Sequence, residues 1–145
     1  MTGHVKGFTI EACSEKDFPL VVKFIEQMQL DSNDLRCNQF LTVKRENQLI
    51  GFGRLRNYAG CDELCSLGII EPFRNKGAGT FLVSELMKKC TKPLFVVTII
   101  PEFFKRIGFQ EVTEIPPEIS LKIKYCTGSL PVAETYIAMR FKLNN

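Results

Sequence analysis

The sequence lacks the features that would identify a metalloprotein, a membrane protein or a nucleic-acid-binding protein. It has one histidine, His4, among 145 residues and so offers no second imidazole to a metal ion. It has no apolar run long enough to span a membrane. The formal net charge is +3, too small a surplus for the dense basic surface that nucleic acids require. We therefore predict no metal, no membrane insertion and no nucleic-acid partner.

An extracellular disulfide framework is also not expected, although the chain has six cysteines. The first residues do not form the charged and apolar segments of a secretory signal. Cys13 and Cys90 lie inside predicted regular elements, and Cys61 and Cys65 do not have the spacing of common zinc sites. We expect reduced thiols in a cytoplasmic protein.

The composition is that of an ordinary folded domain. Hydrophobic residues make up 45% of the chain and charged residues 24%, which is enough apolar material for a core. A length of 145 residues is typical of one domain. We predict a single domain over residues 1–145.

Hydrophobic periodicity predicts a mixed α/β fold. Strands are predicted at Phe8–Ala12, Phe40–Arg45, Leu49–Arg56, Glu63–Ile70, Leu94–Ile100, Phe109–Glu114 and Thr135–Leu143, and helices at Asp17–Leu30, Thr80–Lys89 and Glu102–Ile107. Pro116 and Pro117 are interpreted as a break, and Ser120–Pro131 as irregular chain or a short helix. Gly51 and Gly53 would let another group approach the backbone of their strand closely.

A glycine-rich turn joins the fourth predicted strand to the second predicted helix. The first N–H groups of a helix have no internal partner and attract phosphate. Gly77 and Gly79 leave the backbone uncovered, Arg74 and Lys76 add positive charge, and Thr80 adds a hydroxyl group. The pattern predicts a pyrophosphate site, although a plain tight turn would use the same glycines.

Two common phosphate-binding loops do not fit this turn. The nucleotide triphosphatase loop places its lysine directly after the last glycine, whereas Lys76 precedes both glycines of the turn. The dinucleotide fingerprint requires three glycines in G-x-G-x-x-G, and the turn has only the run G-A-G. The ligand is therefore expected to be neither a nucleoside triphosphate nor a nicotinamide dinucleotide.

The turn and its surroundings resemble the GCN5-related N-acetyltransferases. Arg74–Gly79 fits that family's Q/R-x-x-G-x-G/A loop, Leu67–Phe73 its lead-in strand, and Phe103–Phe109 its F-Y/F-x-x-x-G-F segment at the expected separation. The predicted order of elements agrees over nearly the whole chain. The resemblance implies the α/β (α+β) GNAT fold, a mixed and mostly antiparallel sheet of six to seven strands with flanking helices and splayed fourth and fifth strands.

The same resemblance implies acetyl-CoA as the cofactor. Backbone N–H groups of the loop would hold its pyrophosphate, and the strand before the loop would hold its pantetheine arm. The implied cofactor-binding residues are Leu67, Ile69, Arg74, Asn75, Lys76, Gly77, Ala78, Gly79, Thr80, Phe104 and Lys105. For Leu67, Ile69 and Phe104, an ordinary place in a hydrophobic core fits the residue type equally well.

The implied reaction is direct attack of a neutral amine on the thioester through a tetrahedral intermediate. A strand N–H group near Leu67 or Ile69 would stabilise the oxyanion. Glu63 matches the position of a glutamate base in many family members, and an exposed acid at a strand start fits the residue equally well.

The general acid of the family has no counterpart here, because many members carry a tyrosine at the position of Phe104. Tyr58, Tyr125 or Tyr136 could enter the site from elsewhere, or water could serve. A thiol with a pKa of about 8.5 also leaves as the thiolate without an acid. We favour water or unassisted departure.

The acceptor is implied by a finer resemblance, to the amino-acid branch that includes N-acetylglutamate synthase and arsenic-resistance acetyltransferases. The residues that carry it are Glu63–Leu67, Phe103–Phe109, Ile115–Ile119, Ala138, Met139 and Leu143. A substrate of that kind needs a cation for its carboxylate, and Arg36, Arg54 and Arg56 are the candidates, although solvated surface charges are the alternative interpretation. A protein or peptide N-acetyltransferase and an acyl-CoA-binding regulator without turnover are the competing functions. A homodimer is compatible with all of them.

Overall fold

The computed structural model describes residues 3–5, 7–130 and 134–141. The strands are β1 (Gly3–Val5), β2 (Phe8–Ala12), β3 (Phe40–Arg45), β4 (Gln48–Asn57), β5 (Asp62–Ile69), β6 (Leu94–Thr98), β7 (Phe109–Glu111) and β8 (Ile137–Phe141), and the helices are α1 (Phe18–Gln27), α2 (Ala78–Met87), α3 (Pro101–Ile107) and α4 (Pro117–Ser129). Each predicted strand and helix coincides with an observed one, so the mixed α/β class is confirmed. The end of the predicted strand Thr135–Leu143 lies outside the described residues.

The chain divides into two compact units. The first comprises Met1–Leu55 and Ser66–Lys89, and the second comprises Arg56–Cys65 and Cys90–Asn145. Strands β4 and β5 therefore each contribute residues to both units. A single domain over the whole chain stays a prediction. None of the helices among the described residues is both long and apolar enough to cross a bilayer.

The first unit is an antiparallel sheet covered by an amphipathic helix. Its strands are hydrogen-bonded in the order β1-β2-β3-β4-β5. The β2–β3 register pairs Ile10 with Val43. Helix α1 begins after Asp17, with a proline in its first turn, and buries residues four positions apart, as an amphipathic helix does. The core of this unit consists of Val21, Ile25, Phe40, Leu49 and Phe52.

The second unit contains a parallel pair of strands, as a mixed sheet requires. Its strand order is β5-β6-β8-β7. The parallel β5–β6 register runs from Asp62 and Leu94 to Leu64 and Val96, while β5 itself continues to Ile69. Strand β8 is antiparallel to both β6 and β7. The core of this unit consists of Cys61, Phe95, Ile119 and Ala138.

Helix α4 occupies the segment interpreted as a proline break followed by irregular chain or a short helix. Pro117 is its first residue, a favourable position because the N–H group of a first-turn residue has no helical partner anyway. The helix runs for 13 residues and buries Ile119, Lys122 and Cys126. Because a lysine lies on the buried face, the helical spacing of apolar residues is interrupted, and the length of this helix could not be predicted from the sequence.

All six cysteines lie within the described residues, and no disulfide joins them.

Candidate active site

The glycine-rich loop of the first unit presents its backbone to solvent. Asn75 and Gly77 have left-handed φ values of 64° and 88°. Gly77 is the N-cap of α2, and among the described residues no side chain caps this helix. A Cβ atom added to Gly77 would meet no heavy atom within 4 Å. The N–H groups that open α2 are therefore uncovered, which is the property that phosphate binding requires.

The side chains of the loop divide between solvent and core. Arg74 is exposed, and its Nε donates a hydrogen bond to the carbonyl oxygen of Ile69 at 2.7 Å. Lys76 and Thr80 are also exposed, as a contact with an anionic ligand would need. Ala78 is buried and fixes the start of α2 against the core. The structure thus brings the predicted positive charge and hydroxyl group to one loop.

Strand β5 fills the space that the glycines of β4 leave open. A Cβ atom on Gly53 would lie 2.4 Å from Cδ2 of Leu67, and one on Gly51 would lie 2.5 Å from Cδ1 of Ile69. The predicted close approach therefore comes from the side chains of Leu67 and Ile69 themselves. Both side chains are half-buried and pack against these glycines, so the backbone groups of the two residues are the candidates for a ligand contact.

Arg54, predicted to bind a substrate carboxylate, is instead fully buried in the first unit. Its Nε donates to Oγ of Ser66 at 3.0 Å. The partners of its terminal nitrogens are Oε1 of Gln39, the carbonyl oxygens of Asn33 and Asp34, and a carboxylate oxygen of Asp31. A guanidinium group has five N–H donors. Each nitrogen therefore has a partner inside the first unit, which does not fit a role in binding a substrate carboxylate.

Glu63, the predicted base, is fully buried in the second unit, so the alternative interpretation as an exposed acid is wrong. Its Oε1 accepts a hydrogen bond from the hydroxyl group of Tyr58 at 2.9 Å. Its Oε2 lies 2.6 Å from Nζ of Lys122, which is also buried. Each carboxylate oxygen therefore has a donor among the described residues, and a carboxylate oxygen can accept more than one hydrogen bond.

The tyrosines considered as general acids lie in the second unit. Burial and the charge of Glu63 raise the pKa of Tyr58 far above its usual value, so its hydroxyl group stays protonated and acts as a donor to Glu63. Burial also raises the pKa of Tyr136. Tyr125 and Tyr136 are half-buried. The structure therefore connects Tyr58 to the predicted base.

Phe104 and Lys105, predicted to contact the cofactor, have other partners in α3. The ring of Phe104 is buried, and it makes edge-to-face contacts with the rings of Phe103 and Phe109, whose centroids lie 5.0 and 5.4 Å away. This is the core position that was the alternative for Phe104. The exposed Lys105 forms an ion pair with Glu102 at 3.1 Å.

The remaining arginine candidates differ in their surroundings. Arg36 is exposed in the first unit and forms an ion pair with the equally exposed Asp34 at 3.4 Å. Arg56 is half-buried in the second unit, and its guanidinium carbon lies 5.4 Å from the ring centroid of Tyr58. Because Tyr58 donates to Glu63, the structure places Arg56 in the same cluster as the predicted base.

The cluster around the predicted base consists of Arg56, Tyr58, Glu63 and Lys122. Lys122 is the one member that the sequence analysis did not identify. It lies 59 positions from Glu63 in the chain, so no local pattern connects them. A lysine between two apolar residues at helical spacing, Ile119 and Cys126, was the available signal, and it becomes visible only once α4 is recognised as a helix.

Comparison with known proteins gives a consistent family and fold. The model for the acetyltransferase (GNAT) family matches residues 8–109. An uncharacterized N-acetyltransferase of Chlorobaculum tepidum is 35% identical over 78 residues, which cover 50% of this chain and 50% of that protein. The match thus spans about half the length of this relative.

Several solved structures have the same fold at low sequence identity. N-acetylglutamate synthase from Neisseria gonorrhoeae, complexed with coenzyme A and L-arginine, has a TM-score of 0.74 at 18% identity, over 94% of this chain and 34% of that chain. Rv2747 from Mycobacterium tuberculosis, in complex with CoA, has a TM-score of 0.76 at 17% sequence identity, and the match covers 93% of this chain and 99% of that chain. Arabidopsis thaliana Naa50, in complex with a CoA-peptide bisubstrate analogue, has a TM-score of 0.70 at 13% sequence identity, and the match covers 94% of this chain and 99% of that chain.

Proposed function

Because the chain belongs to the acetyltransferase (GNAT) family, we propose that it transfers the acetyl group of acetyl-CoA to the amine of a small molecule, an amino acid or an analogue of one. The observation that carries this proposal is the uncapped, solvent-facing start of α2 at Gly77. Solved structures with this fold, including those of Rv2747 and N-acetylglutamate synthase, hold coenzyme A. Their ligands support the choice of cofactor.

The cofactor would be held by backbone groups of the first unit. The N–H groups from Gly77 to Thr80 would bind the pyrophosphate, and Lys76 would add charge next to it. The pantetheine arm would hydrogen-bond to the backbone of Leu67 and Ile69. These two residues lie beyond Leu64, the last residue of β5 that pairs with β6, which supports their assignment to a ligand.

The reaction would form a carbon–nitrogen bond as the carbon–sulfur bond of the thioester breaks. The acetyl group arrives activated as a thioester. Glu63 would receive the proton that the attacking amine loses, and because the carboxylate is fully buried the proton would travel through a bound water. The ammonium group of Lys122 compensates the charge of the ionised carboxylate. No protein acid is assigned, since a thiolate departs near neutral pH without one.

Arg56 is our candidate for binding the carboxylate of an amino-acid acceptor. Its guanidinium group lies over the ring of Tyr58, whose hydroxyl group reaches Glu63. An α-amino acid carries its amine and carboxylate on one carbon, so a cation near the proposed base suits it. Arg54 no longer competes for this role because its donors are engaged inside the first unit.

The test is thiol release from acetyl-CoA with a panel of free amino acids, their α-carboxamides and short peptides. We expect turnover with free amino acids and a large loss with the carboxamides. Arg56→Gln should raise the KM of the amino acid by at least about tenfold, the typical effect of losing a charged hydrogen bond. Arg36→Gln is the matched control, because this arginine is exposed and paired with an exposed acid, and it should leave the KM unchanged.

Other results would select the competing functions. Turnover with peptides but not with free amino acids would identify a peptide acetyltransferase, the class favoured by the CoA-peptide bisubstrate analogue in the Naa50 structure. A melting temperature that rises with coenzyme A, without turnover on any amine, would identify an acyl-CoA-binding regulator. If coenzyme A leaves the melting temperature unchanged at millimolar concentration, the proposed use of the loop is refuted.

A further inference from the structure

Ser66 has a backbone conformation that a strand residue rarely adopts. Its φ is 52°, in the left-handed region. The other non-glycine residues with positive φ among the described residues, such as Asn47 and Asn75, lie in turns or loops, whereas Ser66 lies inside β5. A serine in this region is strained unless its surroundings hold it there. The neighbours of Ser66 should therefore explain its conformation.

Two hydrogen bonds hold the side chain of Ser66. Its hydroxyl group donates to the carbonyl oxygen of Asp31 at 2.7 Å and accepts from Nε of Arg54 at 3.0 Å. Ser66 is 6% exposed and Arg54 is 0% exposed, so water does not compete for these bonds. The other nitrogens of Arg54 bind the segment Asp31–Gln39, which holds the guanidinium group in place.

Ser66 immediately precedes the part of β5 to which the proposed function assigns the pantetheine arm. A left-handed residue within a strand interrupts its regular course, because it turns the peptide groups that follow it. The direction of the N–H and carbonyl groups of Leu67 thus depends on the φ of Ser66. Leu67 is also fixed on its other side, since its side chain lies directly over Gly53.

We propose that Arg54 is a positioning residue for acetyl-CoA: through the hydroxyl group of Ser66 it keeps this residue left-handed, and so it aims the backbone of Leu67 and Ile69 at the pantetheine arm. This inference rests on the proposed function. Arg54 itself touches neither the cofactor nor the amine. Its removal would let Ser66 relax toward an extended φ and would misdirect the peptide groups that follow.

The decisive comparison is between Ser66→Ala and Ser66→Gly. Both variants lack the hydroxyl group, and glycine, unlike alanine, adopts a positive φ without strain. We expect Ser66→Ala to raise the KM of acetyl-CoA about tenfold over the wild type and Ser66→Gly to raise it several-fold less. The KM of the amine should stay the same in both, because the acceptor does not bind this backbone segment.

A second experiment tests Arg54 itself with the variant Arg54→Gln. We expect it to raise the KM of acetyl-CoA as Ser66→Ala does, and the double variant with Ser66→Gly to recover part of that loss. A merely structural arginine would lower the melting temperature without this recovery. If Arg54→Gln does not fold, the alanine and glycine variants of Ser66 still decide the question.

The outcomes separate this inference from the proposed function. If wild-type protein shows neither thiol release nor a thermal shift with coenzyme A, the proposed function fails and takes the inference with it. If the wild type is active but Ser66→Ala and Ser66→Gly have the same KM for acetyl-CoA, only the positioning role is overturned.

Discussion

Replacing Lys122 by methionine should destabilise the protein severely, because it leaves the carboxylate of Glu63 buried without its counter-charge. The two charged atoms lie 2.6 Å apart, and the side chains of Lys122 and Glu63 are 7% and 0% exposed. At an effective dielectric constant of about 20 the attraction between unit charges at this separation is roughly 6 kcal/mol. Desolvation offsets much of it, and removing one partner of a buried pair typically costs about 3–5 kcal/mol.

The assay is urea unfolding at pH 7, with a double-mutant cycle on the pair. Lys122→Met and Glu63→Gln should each lower the free energy of unfolding by about 3–5 kcal/mol. Their combination should cost clearly less than the sum, because it removes both charges together. Since single domains are stable by about 5–15 kcal/mol, unfolding of each single variant should begin at low urea concentrations.

The chain offers a matched control in the same unit. Lys105 and Glu102 form an ion pair at 3.1 Å, with side chains 47% and 77% exposed. Lys105→Met should change the free energy of unfolding by less than about 1 kcal/mol, because solvent screens such a pair. If Lys122→Met lowers the free energy of unfolding as little as Lys105→Met does, or if the effects of the two single variants in the cycle add up, our account of the buried pair is refuted.

Three further predictions concern the loop, the pH dependence of stability and thiol reactivity. Gly77→Ala should raise the KM of acetyl-CoA about tenfold, because alanine is strained at a φ of 88°, whereas Gly60→Ala, in equally open space, should not change it in the thiol-release assay. A hydrogen bond from Lys44 holds the pKa of Asp17 below its usual value of 3.8, so the contribution of this pair to the free energy of unfolding should be full above about pH 5 and lost as the pH falls through the folded-state pKa. Urea unfolding of wild type and Lys44→Met from pH 6 to pH 2 tests this. An identical dependence on pH in the two proteins would contradict it. Burial raises the pKa of Cys13 to about 12, so iodoacetamide should label it at pH 8 far more slowly than a free thiol, as mass spectrometry would show; labelling at the free-thiol rate would contradict this.

Most of the fold could be predicted because each strand or helix shows its own hydrophobic periodicity within a short stretch of sequence. The alternation in the strands and the helical spacing of Val21 and Ile25 need no distant partner to be recognised. The loop at Gly77 was equally local, since glycines between a strand and a helix specify a backbone conformation. The start and length of helix α4 were not predicted, because Pro117 starts it instead of ending an element and because Lys122 interrupts its apolar face.

The environment of the candidate site could not be predicted in the same way. Acidic and basic side chains are normally exposed, so nothing local indicated that Glu63 and Arg54 are both fully buried. Their partners come from distant parts of the chain, Lys122 in one case and the segment Asp31–Gln39 in the other. Only the folded chain shows that Arg54 is engaged internally and that Arg56 shares a cluster with Glu63.

The glycines of β4 have a consequence for anyone who redesigns this protein. Because the side chain of Leu67 lies over Gly53 and that of Ile69 over Gly51, the two strands share a single layer of side chains at these two positions, and β5 supplies it. Gly53→Ala alone would push Leu67 aside and move the backbone next to it. Pairing that change with Leu67→Val returns about the volume that alanine adds, so compensating substitutions across the two strands should be tolerated where single ones are not.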